Sequence, residues 1–439
     1  MFLFALIAIH AVYFYCALYF EGICTQDSDE YLQTAENLKY HFTSFNWVWS
    51  EDRNPSFYSL RPPLYGILIL LCKSIYYSDY TVVFIQNLMS ICIWCLTLHL
   101  SKLLKLSFKL EIPILVVLIL VPSQMVMVNS IMAEVLLELL LVLCLVCIVY
   151  YVSGKNPTYI LIYNILLALA VLTKPVMMYF WIPNVLFSIY LFSQKRSYLT
   201  LLSCLLMPLT ILFWSIRNER KTGLFHYSSI KYQGILELNA GGVLAQLYGT
   251  KEGEIIRNKI WNESEKTDSY AGQCEFIMSK STHIIKEHPG LYAYSHVKGM
   301  LNFMLAMGRT DTKIFFGHNP NEYEISMVRE IENRGLVKGL QYYALNVNAF
   351  SIGLLILGTL LNIIILISLM VFVFDKSYPM LVRFFILSVV FYAIFVCGPG
   401  GYARYRVAYL PYLILTLPFF LKSLRNIFYQ LPHFNTKIG

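Results

Sequence analysis

The stretch "EVLLELLLVLCLVCIVYYV", residues 134–152, decides the fold of this chain. After Glu138 it runs to its end without a charged residue. A helix crosses the roughly 30 Å hydrocarbon core of a bilayer with about 20 apolar residues. The stretch therefore predicts a membrane span.

Nine further apolar stretches predict spans of the same kind, and they cover approximately residues 2–20, 81–101, 111–128, 158–173, 176–193, 199–216, 347–374, 381–397 and 405–421. The composition agrees, because 57% of the 439 residues are hydrophobic and only 14% are charged, whereas soluble domains carry about 25% charged residues. We expect an all-α polytopic membrane protein with about ten transmembrane helices. The net charge of +8 is attributed to topology and a possible anionic ligand, and no basic tail or motif suggests a nucleic-acid partner.

Basic residues in the short loops predict the orientation of the spans. They fall on one side of the predicted helices, at Lys102, Lys105, Lys109, Lys155, Lys195, Arg196, Lys376, Arg383, Lys422 and Arg425. We interpret this side as cytoplasmic and place both termini there. Three parts result: a transmembrane module over 1–216 with a first external loop at 21–80, an external cap over 217–346, and C-terminal helices with a short cytoplasmic tail over 347–439.

The first external loop is expected to contain interfacial helices. Its "RPPLYGILILLCKSIYY" segment is apolar but too short to span. Most of the ten cysteines lie inside apolar runs, where packing is the simplest explanation. Cys24 and Cys274 fall in loops on the same side, which leaves a disulfide between them open.

Three carboxylates stand close together in "QDSDEYLQTAENL", residues 26–38. Asp27 or Ser28 could cap a helix that begins here, and acidic residues in the first turn favour the positive end of a helix. Local structure thus explains Asp29 and Glu30. It does not explain why Asp27 lies where the first span leaves the membrane.

Other charges lie at span ends on the external face, namely Glu134, Lys174, Arg217, Arg404 and Arg406. Anchoring to lipid phosphate explains each one singly, but the positive-inside tendency should deplete basic residues on this face. A shared site for an anionic, lipid-linked ligand explains the set better, because guanidinium groups bind phosphate bidentately.

The order of these motifs resembles a known family. "DSDEYLQTAENL", "RPPLYGILI", "NSIMAEVLLELL", "LTKP" and "ARYRVAYLPYL" are similar to motifs of the C-type, polyprenol-phosphate-dependent glycosyltransferases (GT-C fold). Within that class the motifs most resemble glycosyltransferase family 39, with the bacterial lipid A aminoarabinose transferases and the protein O-mannosyltransferases as relatives. The resemblance covers about residues 20–240 and 398–412.

The resemblance implies an inverting transfer of a sugar from an undecaprenyl-phosphate type of donor to an acceptor hydroxyl or phosphate. Asp27, four residues before Tyr31 in a D-x-x-x-Y pattern, would be the catalytic base. The donor phosphate would be held by basic residues, for which the candidates are Arg404, Arg406, Lys174, Arg217 and Arg61. Some family members carry Lys where this chain has Arg61. Glu134, Tyr31 and Tyr405 would orient the acceptor or a cation.

No cofactor is required by this interpretation, and a divalent metal is an option. Asp27, Glu134 and the histidines of the long loop (His226, His283, His288, His296 and His318) are potential ligands, but no histidine spacing is typical of a ligand pair. The expected partners are the lipid-linked donor, a lipid, glycan or protein acceptor, and membrane lipids. The expected location is a bacterial inner membrane, with the active site on the periplasmic face.

Two other classes remain open. An O-antigen-type polysaccharide polymerase or ligase also has many spans and one large external loop, but usually lacks an aspartate in the first loop. A lipid-linked sugar flippase or transporter often shows inverted repeats and mid-span charges. This chain has its charges at one edge and no detectable repeat.

Overall fold

The structure is a computed structural model that describes residues 1–422 except 26, 107, 319–329, 332, 333, 348 and 377. These described residues form helices and connecting loops, with no strand among them. The predicted cytoplasmic tail from residue 423 onward, which includes Arg425, lies outside the described residues.

The N-terminal part contains eleven helices in the described residues. They are α1 (Phe2–Phe20), α2 (Ser28–His41), α3 (Leu64–Ile75), α4 (Asp79–Leu103), α5 (Glu111–Leu120), α6 (Pro122–Val128), α7 (Glu134–Gly154), α8 (Thr158–Thr173), α9 (Trp181–Lys195), α10 (Tyr198–Ser203) and α11 (Leu206–Thr222).

The predicted cap region and the C-terminal part continue the helical pattern. The cap region contains α12 (Ile230–Gly234), α13 (Gly241–Tyr248), α14 (Thr250–Ser264), α15 (Tyr270–Glu287), α16 (Pro289–Leu305), α17 (Arg309–Phe315) and α18 (Leu336–Asn346). The C-terminal part contains α19 (Ala349–Phe374), α20 (Met380–Val396), α21 (Ala403–Arg406) and α22 (Leu410–Ile414).

Six described helical segments are long and apolar enough to cross a membrane, which is compatible with a multi-pass membrane protein. They are Phe2–Phe20, Asp79–Leu103, Glu134–Gly154, Pro175–Gln194, Tyr198–Thr222 and Ile352–Phe374. A seventh results if α5 and α6 count as one span. The prediction of about ten spans is therefore not confirmed, because α8 and α20 are apolar but shorter than the others.

Proline explains two of these differences. The chain bends by 82° between α5 and α6, where Pro122 cannot continue the hydrogen-bond ladder of the preceding helix. The predicted span over 405–421 is divided into α21, a 3₁₀ segment at Val407–Tyr409, and α22, which carries Pro411 in its first turn.

A hydrophobic cluster fixes the first external loop against the membrane helices. Tyr31 and Ala35 lie one helical turn apart on the buried face of α2. They belong to the same buried cluster as Tyr65 of α3, Val83 of α4 and Ile131. The Tyr31 and Tyr65 rings meet edge to face with centroids 4.9 Å apart. This packing fixes the start of α2, where Asp27 lies.

Two glycines allow close approach of the segments that carry the site. A Cβ atom on Gly401 would lie 1.8 Å from the carbonyl oxygen of Gly299, so the Gly398–Gly401 segment packs directly on α16. A Cβ atom on Gly22 would lie 2.2 Å from the carbonyl oxygen of Phe315, which brings α17 against the end of α1. Any larger residue would separate these segments.

The ten cysteines are all free in this structure, Cys24 and Cys274 among them. The option of a disulfide between these two is therefore not supported. Cys144 and Cys147 are buried in the main hydrophobic cluster, as expected for small packing residues.

Candidate active site

The carboxylate of Asp27 takes part in ion pairs rather than in helix capping. Asp27 occupies the N-cap position of α2, but its side chain accepts no capping hydrogen bond. Its Oδ1 lies 3.1 Å from Nη2 of Arg61, and its Oδ2 lies 3.3 Å from Nη1 of Arg404. The side chain is 18% exposed, so a solute can still reach it.

Arg61 links two carboxylates of the first loop. Its Nε lies 2.5 Å from Oε2 of Glu30, while its Nη2 pairs with Asp27. Its guanidinium carbon lies 5.4 Å from the centroid of the Tyr31 ring. Its backbone N–H donates to Oδ1 of Asn46 at 2.9 Å, which fixes the residue within the loop.

Arg404 reaches Asp27 from the opposite end of the chain. It lies in α21, directly after the glycine segment that packs on α16. Its Nη2 donates to the hydroxyl of Tyr405 at 3.3 Å, and its side chain is 20% exposed. Burial alone would lower the pKa of Arg404, but Tyr405 and Asp27 raise it above its ordinary value, so the guanidinium is charged.

Lys174 and Glu134 form a second ion pair in the same region. Nζ of Lys174 lies 2.7 Å from Oε1 of Glu134, the first residue of α7. The Glu134 side chain is 1% exposed, and its Oε2 has no hydrogen-bond partner among the described residues. Nζ of Lys174 also lies 5.5 Å from the centroid of the Tyr405 ring. Glu134 thus pairs with one of the predicted basic residues.

The acids of this cluster have different protonation behaviour. Burial alone would raise the pKa of Asp27, but Arg61, Arg404 and Lys174 together hold it below its ordinary value. Burial raises the pKa of Glu30, and Arg61 opposes this only in part. Asp27 is therefore the more firmly ionised of the two.

Two predicted phosphate ligands lie outside this cluster. Arg406 is 2% exposed, and its guanidinium donates to the backbone carbonyls of Met304 and Ala306. Arg217 donates to the backbone carbonyls of Tyr58 and Ser44. Both guanidinium groups thus donate to backbone acceptors, Arg406 at the C-terminal end of α16 and Arg217 in the first external loop, and hold these segments in place.

The structure adds two acids that the sequence interpretation did not place in the site. Glu30 was assigned to local structure, yet it shares Arg61 with Asp27. Its position three residues after Asp27, one helical turn further on, was the available signal. Asp311 of α17 is half-buried, and this burial raises its pKa, while Arg404 acts in the opposite direction. It lies in the loop that the resemblance did not cover, so no motif pointed to it.

The predicted metal ligands are not grouped around an ion site. The described part of the chain contains no group of three or more His, Cys, Asp or Glu residues that could hold a metal. His226 is instead buried, with Nε2 at 2.6 Å from Oγ of Ser59 and Nδ1 at 2.8 Å from the carbonyl oxygen of Leu224. It links the first loop to the start of the cap region.

No protein-family model matches this chain, and a search of the curated proteins found no significant match.

Taken together, the cluster joins a reachable carboxylate to groups that bind anions. Asp27 can accept a proton when ionised. Arg61 and Arg404 present N–H groups in the fork geometry that suits phosphate or carboxylate. A reaction in which a hydroxyl loses a proton while a phosphate leaves needs both kinds of group side by side.

Proposed function

We propose that this protein is an inverting membrane glycosyltransferase of the GT-C type. It moves a sugar from an undecaprenyl-phosphate type of donor to an acceptor on the external face of a bacterial inner membrane. The single observation that carries the proposal is the Asp27 carboxylate, which lies between Arg61 and Arg404 instead of capping its helix.

The donor phosphate enters this site by exchange. Asp27 occupies the anion position between the two guanidinium groups when no donor is bound. A phosphate oxygen can take over contacts to Arg404, because guanidinium binds phosphate as well as carboxylate. Lys174, which pairs with Glu134, also lies close enough to Asp27 to help lower its pKa against the effect of burial.

Exchange also converts Asp27 into a better base. Burial raises the pKa of Asp27, and both Arg61 and Arg404 oppose it, so loss of Arg404 as a partner shifts the pKa of Asp27 upward while Arg61 still lowers it. The freed carboxylate can then accept the proton of an acceptor hydroxyl as the oxygen attacks the anomeric carbon. The bond from that carbon to the phosphate oxygen breaks, and Arg404 stabilises the charge of the departing lipid phosphate.

Replacement of Asp27 by Asn tests the proposal. Asn caps helices as well as Asp does, so Asp27→Asn retains a capping residue but removes the base. We expect transfer to fall by about a hundred- to ten-thousandfold, the usual contribution of a general base. The assay measures undecaprenyl phosphate released from a panel of undecaprenyl-phosphate hexoses and pentoses by protein in vesicles.

The control is Asp29→Asn, two residues further along the first turn of α2, where the side chain is exposed. It should keep wild-type activity. Equal activity of Asp27→Asn and Asp29→Asn would contradict the proposal, as would a wild-type protein that releases no undecaprenyl phosphate from any donor. Comparison of cell-envelope glycans with and without the gene by mass spectrometry would identify the sugar.

A further inference from the structure

Asp311 is held beside the cluster by both ends of its helix. At the N-terminal end, a Cβ atom on Gly308 would lie 3.3 Å from Cβ of Ala403, the residue before Arg404. At the C-terminal end, the backbone of Phe315 meets Gly22, just after α1. Helix α17 therefore bridges the segment that carries Arg404 and the loop that carries Asp27.

Charge pairing leaves Asp311 as the surplus acid. Arg61 pairs with Asp27 and Glu30, Arg404 pairs with Asp27, and Lys174 pairs with Glu134. No hydrogen bond or ion pair joins the Asp311 carboxylate to another residue in the part of the chain that the structure describes. The residue is nevertheless half-buried, and an unpaired carboxylate on a half-buried residue favours a ligand that donates hydrogen bonds.

We propose that Asp311 positions the acceptor and selects its chemical class. This inference rests on the proposed glycosyltransferase function. Asp311 accepts a hydrogen bond from a hydroxyl or amino group of the acceptor next to the hydroxyl that reacts at Asp27. The acceptor is therefore a neutral or cationic polyhydroxyl compound, and the acceptor group is a hydroxyl rather than a phosphate.

Charge explains the exclusion of phosphate acceptors. The cations of the cluster are shared by carboxylates before any substrate arrives, and the donor adds one more anion. A phosphate on the acceptor would then face both the donor phosphate and the surplus carboxylate of Asp311, and like charges in a partly buried site repel strongly. A hydroxyl or ammonium group instead donates the hydrogen bond that the Asp311 carboxylate lacks.

Three matched soluble acceptors test the inference: octyl glucoside, its 2-amino analogue and its 6-phosphate. Each is added to protein in vesicles with the undecaprenyl-phosphate donor that the wild-type protein consumes. The readout is acceptor-stimulated release of undecaprenyl phosphate, from which KM for the acceptor and KM for the donor are obtained separately. The variants are Asp311→Asn, Asp311→Lys and the control Asp29→Asn.

We expect the neutral and amino acceptors to stimulate the wild-type protein and the 6-phosphate not to. Asp311→Asn should raise KM for the amino acceptor by about ten- to a hundredfold, since a hydrogen bond to a charged group contributes about 1.5–3 kcal/mol. KM for the donor should not change. A purely structural role of Asp311 would instead alter KM for the donor and for the acceptor together. Asp311→Lys should shift preference toward the 6-phosphate.

Four results would overturn the inference. Two concern the wild-type protein: a preference for the 6-phosphate, or no stimulation by any of the three acceptors. Two concern Asp311→Asn: an unchanged KM for the acceptor, or a parallel change of KM for donor and acceptor. Donor consumption without acceptor selectivity would leave the proposed glycosyltransferase function standing. A wild-type protein that consumes no donor would instead refute that function itself.

Discussion

Asp27 depends for its ionisation on residues far away in the chain. Arg61 lies 34 positions later and Arg404 comes from the last described helices, yet both contact the same carboxylate. Arg61 itself is 8% exposed on its side chain, so its charge requires the carboxylates of Asp27 and Glu30 as partners. The protonation of Asp27 therefore reports on whether its two guanidinium partners are in place.

The pH dependence of the proposed reaction should differ between the free protein and the donor complex. Arg61 and Arg404 hold the pKa of Asp27 low in the free protein, and an ionised Asp27 is required for proton acceptance. Donor binding redirects Arg404 and raises the pKa of Asp27. As pH falls, kcat should therefore decline at a higher pH than kcat/KM, because kcat/KM reports the free protein.

This pH dependence can be checked by measuring kcat and kcat/KM across the acidic range in the wild-type protein and in Arg404→Gln. In Arg404→Gln the acidic decline of kcat/KM should move to higher pH, toward that of kcat. Coincident declines of kcat and kcat/KM in the wild-type protein would show that the donor does not displace Arg404 from Asp27.

The sequence could predict which charged residues meet in the cluster only where a motif or the end of a predicted span marked them. The D-x-x-x-Y pattern singled out Asp27, and the span-end charges singled out Arg404, Lys174 and Glu134. The sequence did not reveal that Arg406, two residues after Arg404, donates to backbone carbonyls, because neighbouring helical residues point in different directions. Whether a guanidinium faces a ligand or a loop depends on tertiary packing.

At the scale of elements, the glycine segment before α21 determines where Arg404 lies. Gly398–Gly401 packs on α16 so closely that neither Gly401 nor Gly299 leaves room for a side chain. The same α16 supplies the carbonyl of Met304 that accepts from Arg406. Displacement of this segment would move Arg404 away from Asp27.

Gly401→Ala should therefore both destabilise the protein and weaken the site. The new Cβ atom would lie 1.8 Å from the carbonyl oxygen of Gly299, and overpacking of this kind costs about 1–3 kcal/mol. We expect a lower thermal unfolding midpoint in detergent and reduced binding of undecaprenyl phosphate, followed by intrinsic tryptophan fluorescence.

Gly234→Ala is the matched control, because nothing lies within 4 Å of a Cβ atom placed there. Since Ala is favoured over Gly in a helix interior by roughly 0.5–1 kcal/mol, this control should be neutral or slightly stabilising. An unfolding midpoint for Gly401→Ala equal to that of Gly234→Ala would show that the glycine segment is not tightly packed.

The helices with clear sequence signals were predicted well and the interrupted ones were not. The predicted helix after Asp27 forms as α2, and "RPPLYGILILLCKSIYY" forms α3. Hydropathy alone could not reveal the bend at Pro122 or the division of 405–421, because an apolar run has the same composition whether it is straight or broken. Pro122 and Pro411 were the local signals for both.

At the scale of the whole molecule, the described residues combine long apolar helices with a cluster of charges contributed by distant parts of the chain. Asp27 follows α1, Glu134 begins α7, and Lys174 follows α8. Since one cluster can lie on one face of a bilayer only, these helix ends define a single side. The basic residues of the short loops predict that this side is external.

Cysteine labelling can test this orientation. In a Cys24→Ser background, Asp29→Cys and Lys102→Cys place a thiol at two exposed positions, which the predicted topology assigns to opposite faces. A membrane-impermeant maleimide should label Asp29→Cys in intact spheroplasts, and should label Lys102→Cys only after permeabilisation. The reverse pattern, or labelling of both without permeabilisation, would contradict the predicted topology.

The ion pairs around Asp27 also determine how an anionic head group encounters this site. Arg61, Arg404 and Lys174 are each neutralised by a carboxylate neighbour, so the region projects little attractive field into the surrounding solution. Mobile ions have correspondingly little field to screen. A lipid-anchored donor would arrive by lateral diffusion within the bilayer plane, and its association rate should remain nearly constant as ionic strength rises.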